Sequence, residues 1–143
     1  MDQRMVVGFA FSPRHTHVKL ILKNRGPGSV RGRYNGIGGH VQEGESEAEA
    51  TSREFQEEAG VLIPPSRWTR TVTLLGDGWM VDFFRATLTD AEWEECQSTT
   101  DEPIISVCVA DLREYWLATH VDWIIPFSLN DAVEIPLVVR DHS

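Results

Sequence analysis

The sequence predicts a mixed α/β fold, a β-sheet with helices packed on its faces. Three observations lead there. Short β-prone apolar runs stand at residues 5–11 and 18–22, ahead of the clearest helix signal. That helix opens at Ser46 and stops at Gly60. More β-prone runs and short helical segments follow it, and interleaved strands and helices in one chain pack as a sheet between helical layers.

Taken in order, MVVGFAF (5–11) reads as a buried strand, and VKLIL (18–22), after the turn at Pro13, as its hairpin partner or near neighbour. Residues 23–39 are basic and rich in glycine. Tyr34, Asn35 and Ile37 interrupt what would otherwise be linker composition, so the stretch is expected to form a structured binding loop. Ser46 and Glu49 make an S-x-x-E capping box, Gly60 suits the C-terminal cap, and Pro64-Pro65 forbid continuation. Residues 71–75 and 79–88 flank Gly76-Asp77-Gly78 and read as a hairpin. A short helical turn is expected at 90–96, a strand at 104–110, and a short helix at 122–129 with Pro126 near its start or kinking it.

The length, 143 residues, suits a single domain, 1–143, with one adequate core. No run approaches the roughly 18 apolar residues of a membrane span, and residues 1–7 lack the pattern of a signal peptide. Only Cys96 and Cys108 occur, so reduced thiols in a cytoplasmic protein are expected, as monomer or homodimer. The net charge of −9 disfavours general nucleic-acid binding. It also repels a free nucleotide, so a nucleotide substrate would need divalent cations to neutralise the pair.

The placement of the acids is informative. On a helix, Glu54, Glu57 and Glu58 project together, while Ala48, Ser52, Phe55 and Ala59 share the opposite face and suit packing on a sheet. Such a cluster on an isolated helix is most often a solvated face. Here Arg53 stands beside it with a fork of donors that can fix a carboxylate, and a glycine-rich loop precedes it. Oxygen ligands in this number suit Mg²⁺ or Mn²⁺, and neither thiolates nor paired histidines are arranged for zinc. His15, His17, His40, His120 and His142 show no ligand spacing.

The segment GHVQEGESEAEATSREFQEEAGV, residues 39–61, resembles the Nudix box G-x5-E-x7-R-E-U-x-E-E-x-G-U at every fixed position. The matching residues are Gly39, Glu45, Arg53, Glu54, Phe55, Glu57, Glu58, Gly60 and Val61. The resemblance implies the Nudix fold, an α/β/α sandwich around a mixed sheet, and a metal-dependent hydrolase of nucleoside diphosphates linked to another group. It makes Glu54, Glu57, Glu58 and the Gly39 carbonyl ligands of Mg²⁺ or Mn²⁺. Arg53 would orient the carboxylates with Glu45 as its ion-pair partner. The catalytic residues it implies are Glu54 (taken as the base), Arg53 and Glu57.

Upstream, residues 23–46 are similar to the MutT-like subgroup that hydrolyses oxidised purine nucleoside triphosphates, with a pattern near K-x-R-G…W-N-G-x-G-G-K-V-Q-E-G-E. Tyr34 stands where that pattern has tryptophan, His40 where it has lysine, and the loop is two residues longer. The likeness places Asn35 on a purine-reading position and Lys23 on a pocket lysine. Each has a plainer alternative: Asn35 as a turn residue, and Lys23 and Arg25 as solvent-facing strand-end residues. Trp123 either stacks on a base or packs a helix. Asp101 and Glu102 either add a metal-binding or basic acid, as in some family members, or form a solvated loop. The expected activity is hydrolysis of a purine nucleoside triphosphate to monophosphate and pyrophosphate, serving nucleotide pool sanitation. Alternatives are a Nudix enzyme for ADP-ribose, NADH, a dinucleoside polyphosphate or an RNA cap, and a non-catalytic nucleotide-binding regulator.

Overall fold

The computed structural model describes residues 3–141. Met1, Asp2, His142 and Ser143 lie outside the described residues, and with them the readings made for the first two positions and for His142. Eight strands and three α-helices follow in the order β1 (Gln3–Phe11), β2 (His17–Leu22), β3 (Tyr34–Asn35), β4 (Ile37–His40), α1 (Glu47–Ala59), β5 (Thr69–Gly76), β6 (Trp79–Thr87), α2 (Asp90–Glu95), β7 (Ile104–Cys108), α3 (Val121–Ser128) and β8 (Leu137–Arg140).

All eight strands belong to one mixed sheet, ordered β3-β2-β1-β6-β5-β8, with β4 paired to β1 and β7 to β2. β1 is its axis. One edge runs parallel to β6 along its whole length, from Gln3↔Trp79 to Phe11↔Thr87. The other edge is divided: Met5 to Gly8 pair with β4, and only Ala10 and Phe11 pair with β2. The expected hairpin of the first two strands is therefore two residue pairs long, because β4 takes the rest of the edge.

Alternation along the strands fills both faces. Val7, Phe9 and Phe11 of β1 join Phe83 of β6 and Val121, Ile124 and Ile125 of α3 in one cluster. Val6 and Ala10 join Phe84, Ala86 and the α1 residues Ala50, Phe55 and Ala59 in the other, with Trp93 of α2 packed against it. Phe55 is wholly buried, and emptying that site to alanine costs about 3–5 kcal/mol. Helices thus cover both faces, as the α/β/α reading requires. The face expected to pack is the one that packs, although Ala48 is only partly buried while Ala50 and Thr51 are fully so.

The ends of α1 follow their local chemistry. The Ser46 Oγ accepts from the Glu49 amide and the Glu49 carboxylate accepts from the Ser46 amide. Gly60 takes φ +77°, a left-handed conformation that favours glycine. Other expectations need correction. The strand expected to reach residue 110 ends at Cys108, and Val109–Glu114 wind into a 3-10 turn. Pro126 lies in the last turn of α3, not near its start. The loop at 23–39 contains two strands, β3 and β4, and β8 was not expected at all.

Candidate active site

α1 leans its carboxylate edge against β4. A Cβ at Gly39 would overlap the Glu54 carboxylate, so only glycine lets the strand come this close. Arg53 ties the assembly together. Its Nε and Nη2 grip Glu45 at 2.6 and 3.1 Å, Nη2 also donates to the His40 carbonyl at 2.9 Å, and Nη1 donates to Glu54 at 2.9 Å and Glu57 at 3.2 Å. This fork holds the Glu45 carboxyl below the usual carboxylate range. Arg53 thereby joins the loop before the helix, strand β4 and two box glutamates through one planar group.

The last carbonyls of α1 are satisfied by the segment that follows α2. The Gln97 amide donates to Ala59 at 3.1 Å, the Thr99 amide to Glu58 at 3.0 Å, and the Thr99 hydroxyl to the Glu57 carbonyl. That docking carries Glu102 to the site, with its side chain 4% exposed. Glu102 accepts from Lys23 Nζ at 3.0 Å and from the Asn24 amide at 2.8 Å. Burial pushes its carboxyl up, but the Asn24 amide and Lys23 together hold it below the ordinary value. Arg25 pairs in an exposed fork with Asp101.

The box glutamates differ in environment. Glu57 is exposed, Glu54 and Glu58 half-buried. Burial raises Glu54, partly offset by Arg53. Burial, reinforced by the Glu54 charge, pushes Glu58 up to about 7. One Glu58 oxygen, Oε2, is buried without a hydrogen-bond partner. A buried, unpartnered carboxylate oxygen crowded by like charges is the environment a hard cation relieves. The residues therefore fit a Mg²⁺ or Mn²⁺ ion, although Glu54 and Glu57 share Arg53 here, and among the described residues no three acidic, histidine or cysteine side chains converge as a ready metal cage.

A cavity of about 680 Å³ opens on the α3 face of the sheet and reaches β4 at Gly38, Gly39 and His40. Lys23, Arg25, Asn35, Gly39 and His40 line its polar end, and Met5, Val7, Val81 and Phe83 its apolar floor. The Asn35 Oδ1 accepts from the Gly36 amide at 2.7 Å, so the turn role is realised, while the residue also faces the cavity. Trp123 does not line this cavity; its indole donates to His120 Nδ1 at 2.9 Å, and His120 does line it. Trp79, His120 and Asp141 form wall that sequence reading did not single out. No local pattern marks them, since they come from three separate parts of the chain.

The Nudix domain family matches residues 2–129, and the chain belongs to that family. With every fixed position of the box present, it is a Nudix hydrolase. Its solved relatives include MutT proteins. A mutator MutT protein from Bacillus halodurans is 24% identical with a TM-score of 0.74, over 98% of this chain and 89% of that one. MutT of Aliivibrio salmonicida and Vibrio cholerae is 21% identical with a TM-score of 0.72, over 88% and 96%. The Nudix domain of Shewanella oneidensis NrtR, solved with ADP-ribose, is 18% identical with a TM-score of 0.73, over 90% and 86%. Among the described residues no helix is long and apolar enough to cross a membrane, and Cys96 and Cys108 are both free.

Proposed function

We propose that the chain acts as one Nudix domain and hydrolyses a purine nucleoside triphosphate, oxidised forms included, to the monophosphate and pyrophosphate. The observation that carries this reading is a cavity of about 680 Å³ whose polar end presents Lys23, Asn35 and Gly39, the last packed against the Glu54 carboxylate of the box helix. That volume suits a nucleotide-sized ligand.

Glu54, Glu57, Glu58 and the Gly39 carbonyl would hold Mg²⁺ or Mn²⁺, with Glu102 as a further acid at the same place. The ion supplies Lewis acidity, water activation and a template for the phosphates. Arg53 keeps Glu54 and Glu57 in register, and Glu45 keeps Arg53 there. Arg53 engages Glu54 through Oε1, so Oε2 is the atom that takes the proton from the attacking water. Burial raises its carboxyl, which makes it a stronger base. Lys23, 3.0 Å from Glu102, exchanges part of that ion pair for substrate phosphate. Asn35 donates through its amide nitrogen to the purine while its oxygen holds the turn.

A second reading is a nucleoside diphosphate joined to a sugar, supported by the likeness to an NrtR domain solved with ADP-ribose. A screen of oxidised and normal nucleoside triphosphates, ADP-ribose and NADH with Mg²⁺ separates the two. The expected result is highest kcat/KM for a purine triphosphate, lost in excess chelator. Turnover that persists in chelator overturns the metal reading, and a preference for ADP-ribose or NADH overturns the triphosphate reading.

A further inference from the structure

A second cavity, also of about 680 Å³, adjoins the first, and the two share Ala118, Thr119 and His120. Backbone pairing builds it. The Tyr34 amide donates to the Trp116 carbonyl and the Ala118 amide to the Tyr34 carbonyl, both at 2.8 Å, so residues 116–118 run beside β3 as a parallel partner. Trp116 thereby meets Arg33, whose guanidinium carbon lies 4.5 Å from the centre of the indole ring. A guanidinium stacked on an aromatic face is held in orientation while its in-plane donors stay free for other partners. Arg33 and Arg113 both line this second cavity. Among the described residues neither guanidinium has a hydrogen bond or an ion pair, and the Arg33 Nε is buried without a partner. Arg53 and Arg67, by contrast, each grip a carboxylate. In a chain of net charge −9, two guanidiniums left without a counter-charge in one hollow stand out. A water would satisfy one donor and neither charge.

We propose that this second cavity is a phosphate-binding site, filled by inorganic pyrophosphate or by the phosphate tail of a nucleotide. Forked N–H donors match phosphate oxygens two at a time, which is why arginine suits this ligand. Tyr115 and Thr119 line the same hollow and bring hydroxyls that can donate. His120 adds no donor, because its Nδ1 accepts from Trp123 and its Nε2 meets Asp141. Asp122 also lines the hollow, one carboxylate against two guanidiniums, so the balance still favours an anion. Arginine supplies the positive charge here, so the site needs no divalent cation. That separates it from phosphate binding at the carboxylates of α1. The inference does not rest on the purine triphosphate reading of the first cavity.

The test is calorimetric titration of the whole protein in metal-free buffer, with inorganic pyrophosphate and, separately, with ATP. Pyrophosphate is expected to bind with Kd below about 1 mM. Arg33→Gln and Arg113→Gln are each expected to weaken binding at least about ten-fold, the loss of a hydrogen bond to a charged group. Arg113 is exposed, so its replacement leaves the fold intact. Asp122→Asn removes the opposing charge and is expected to tighten binding about three-fold, a gain that misfolding cannot produce. Only ATP binding that Arg113→Gln weakens belongs to this site. If that binding is tighter than pyrophosphate, the nucleotide tail is the ligand; if it is equal or weaker, the free anion is. Absence of both pyrophosphate binding and Arg113-dependent ATP binding in the wild type overturns the proposal, as does unchanged affinity in either arginine variant.

Discussion

Glu54, Glu57 and Glu49 lie on one short helix and do three different things. Glu54 faces Gly39 across a gap with no room for a Cβ, Glu57 takes the outer side of the Arg53 fork, and Glu49 closes the capping box. Glu54→Gln and Glu57→Gln are each expected to lower kcat by on the order of 10²–10⁴-fold with the fold retained. Glu49→Gln keeps an acceptor for the Ser46 amide, so turnover and helix content stay near wild type. Steady-state kinetics with circular dichroism checks all three, and an equal loss in every variant would show that the roles are misassigned. The contacts of the Arg53 fork were legible because the box is short-range: Glu45, Glu54 and Glu57 all lie within the 23 residues from Gly39 to Val61. Trp79, His120 and Asp141 were not legible, because only the folded sheet brings them together.

Among the elements, α2 depends on one ion pair more than its length suggests. Glu92 accepts from the Thr89 amide in the second capping box and receives both Arg67 Nη1 and Nη2, at 2.6 and 2.8 Å. Arg67 also donates to the Thr87 carbonyl at 2.7 Å, so the pair fastens α2 to the end of β6. This fork lowers the Glu92 carboxyl from 4.5 to about 2. A carboxyl depressed by folding stabilises the fold above its unfolded value, and that contribution fades as pH falls from 4.5 towards 2. Glu92→Gln keeps the capping acceptor and removes the charge. It is expected to cost on the order of 1 kcal/mol at neutral pH, after solvent screening, and almost nothing near pH 2, as read by denaturant melts at both. The helices were legible from caps and periodicity. The strands β3 and β4 were not, since glycine-rich runs carry little β-propensity and their pairing depends on β1 and β2, distant in sequence. The four-residue edge strand β8 was equally hidden, because among the described residues its partner is β5, distant in sequence.

For the molecule as a whole, the site opposes stability. Burial and the Glu54 charge raise the Glu58 carboxyl from 4.5 to about 7. Below pH 4.5 folded and unfolded chains both hold that proton, and folding is not penalised. Between 4.5 and about 7 the unfolded chain releases it while the folded chain retains it, so stability falls, and above about 7 the penalty is complete. The full penalty is on the order of 2 kcal/mol after allowance for partial exposure. In metal-free protein, Glu58→Gln is therefore expected to raise Tm by about 5 °C near pH 8 and by little near pH 5, checked by calorimetry. A matching Tm rise in wild type on adding Mg²⁺, absent from the variant, would tie the same group to the cation. Equal Tm changes at both pH values would rule out Glu58 as the source.

The β1 edge is divided between β4 and β2, the carboxylate helix packs on one side of the sheet, and the cavity opens on the other. The two sides come nearest at Gly38 and Gly39 of β4, which line the cavity and carry no side chain between it and α1. On the proposed reading, chemistry and recognition are heritable as separate modules. Mutations on the α3 side would then change which molecule is admitted while the box helix on the other side is passed on unaltered, the kind of arrangement that lets one scaffold diversify into many preferences.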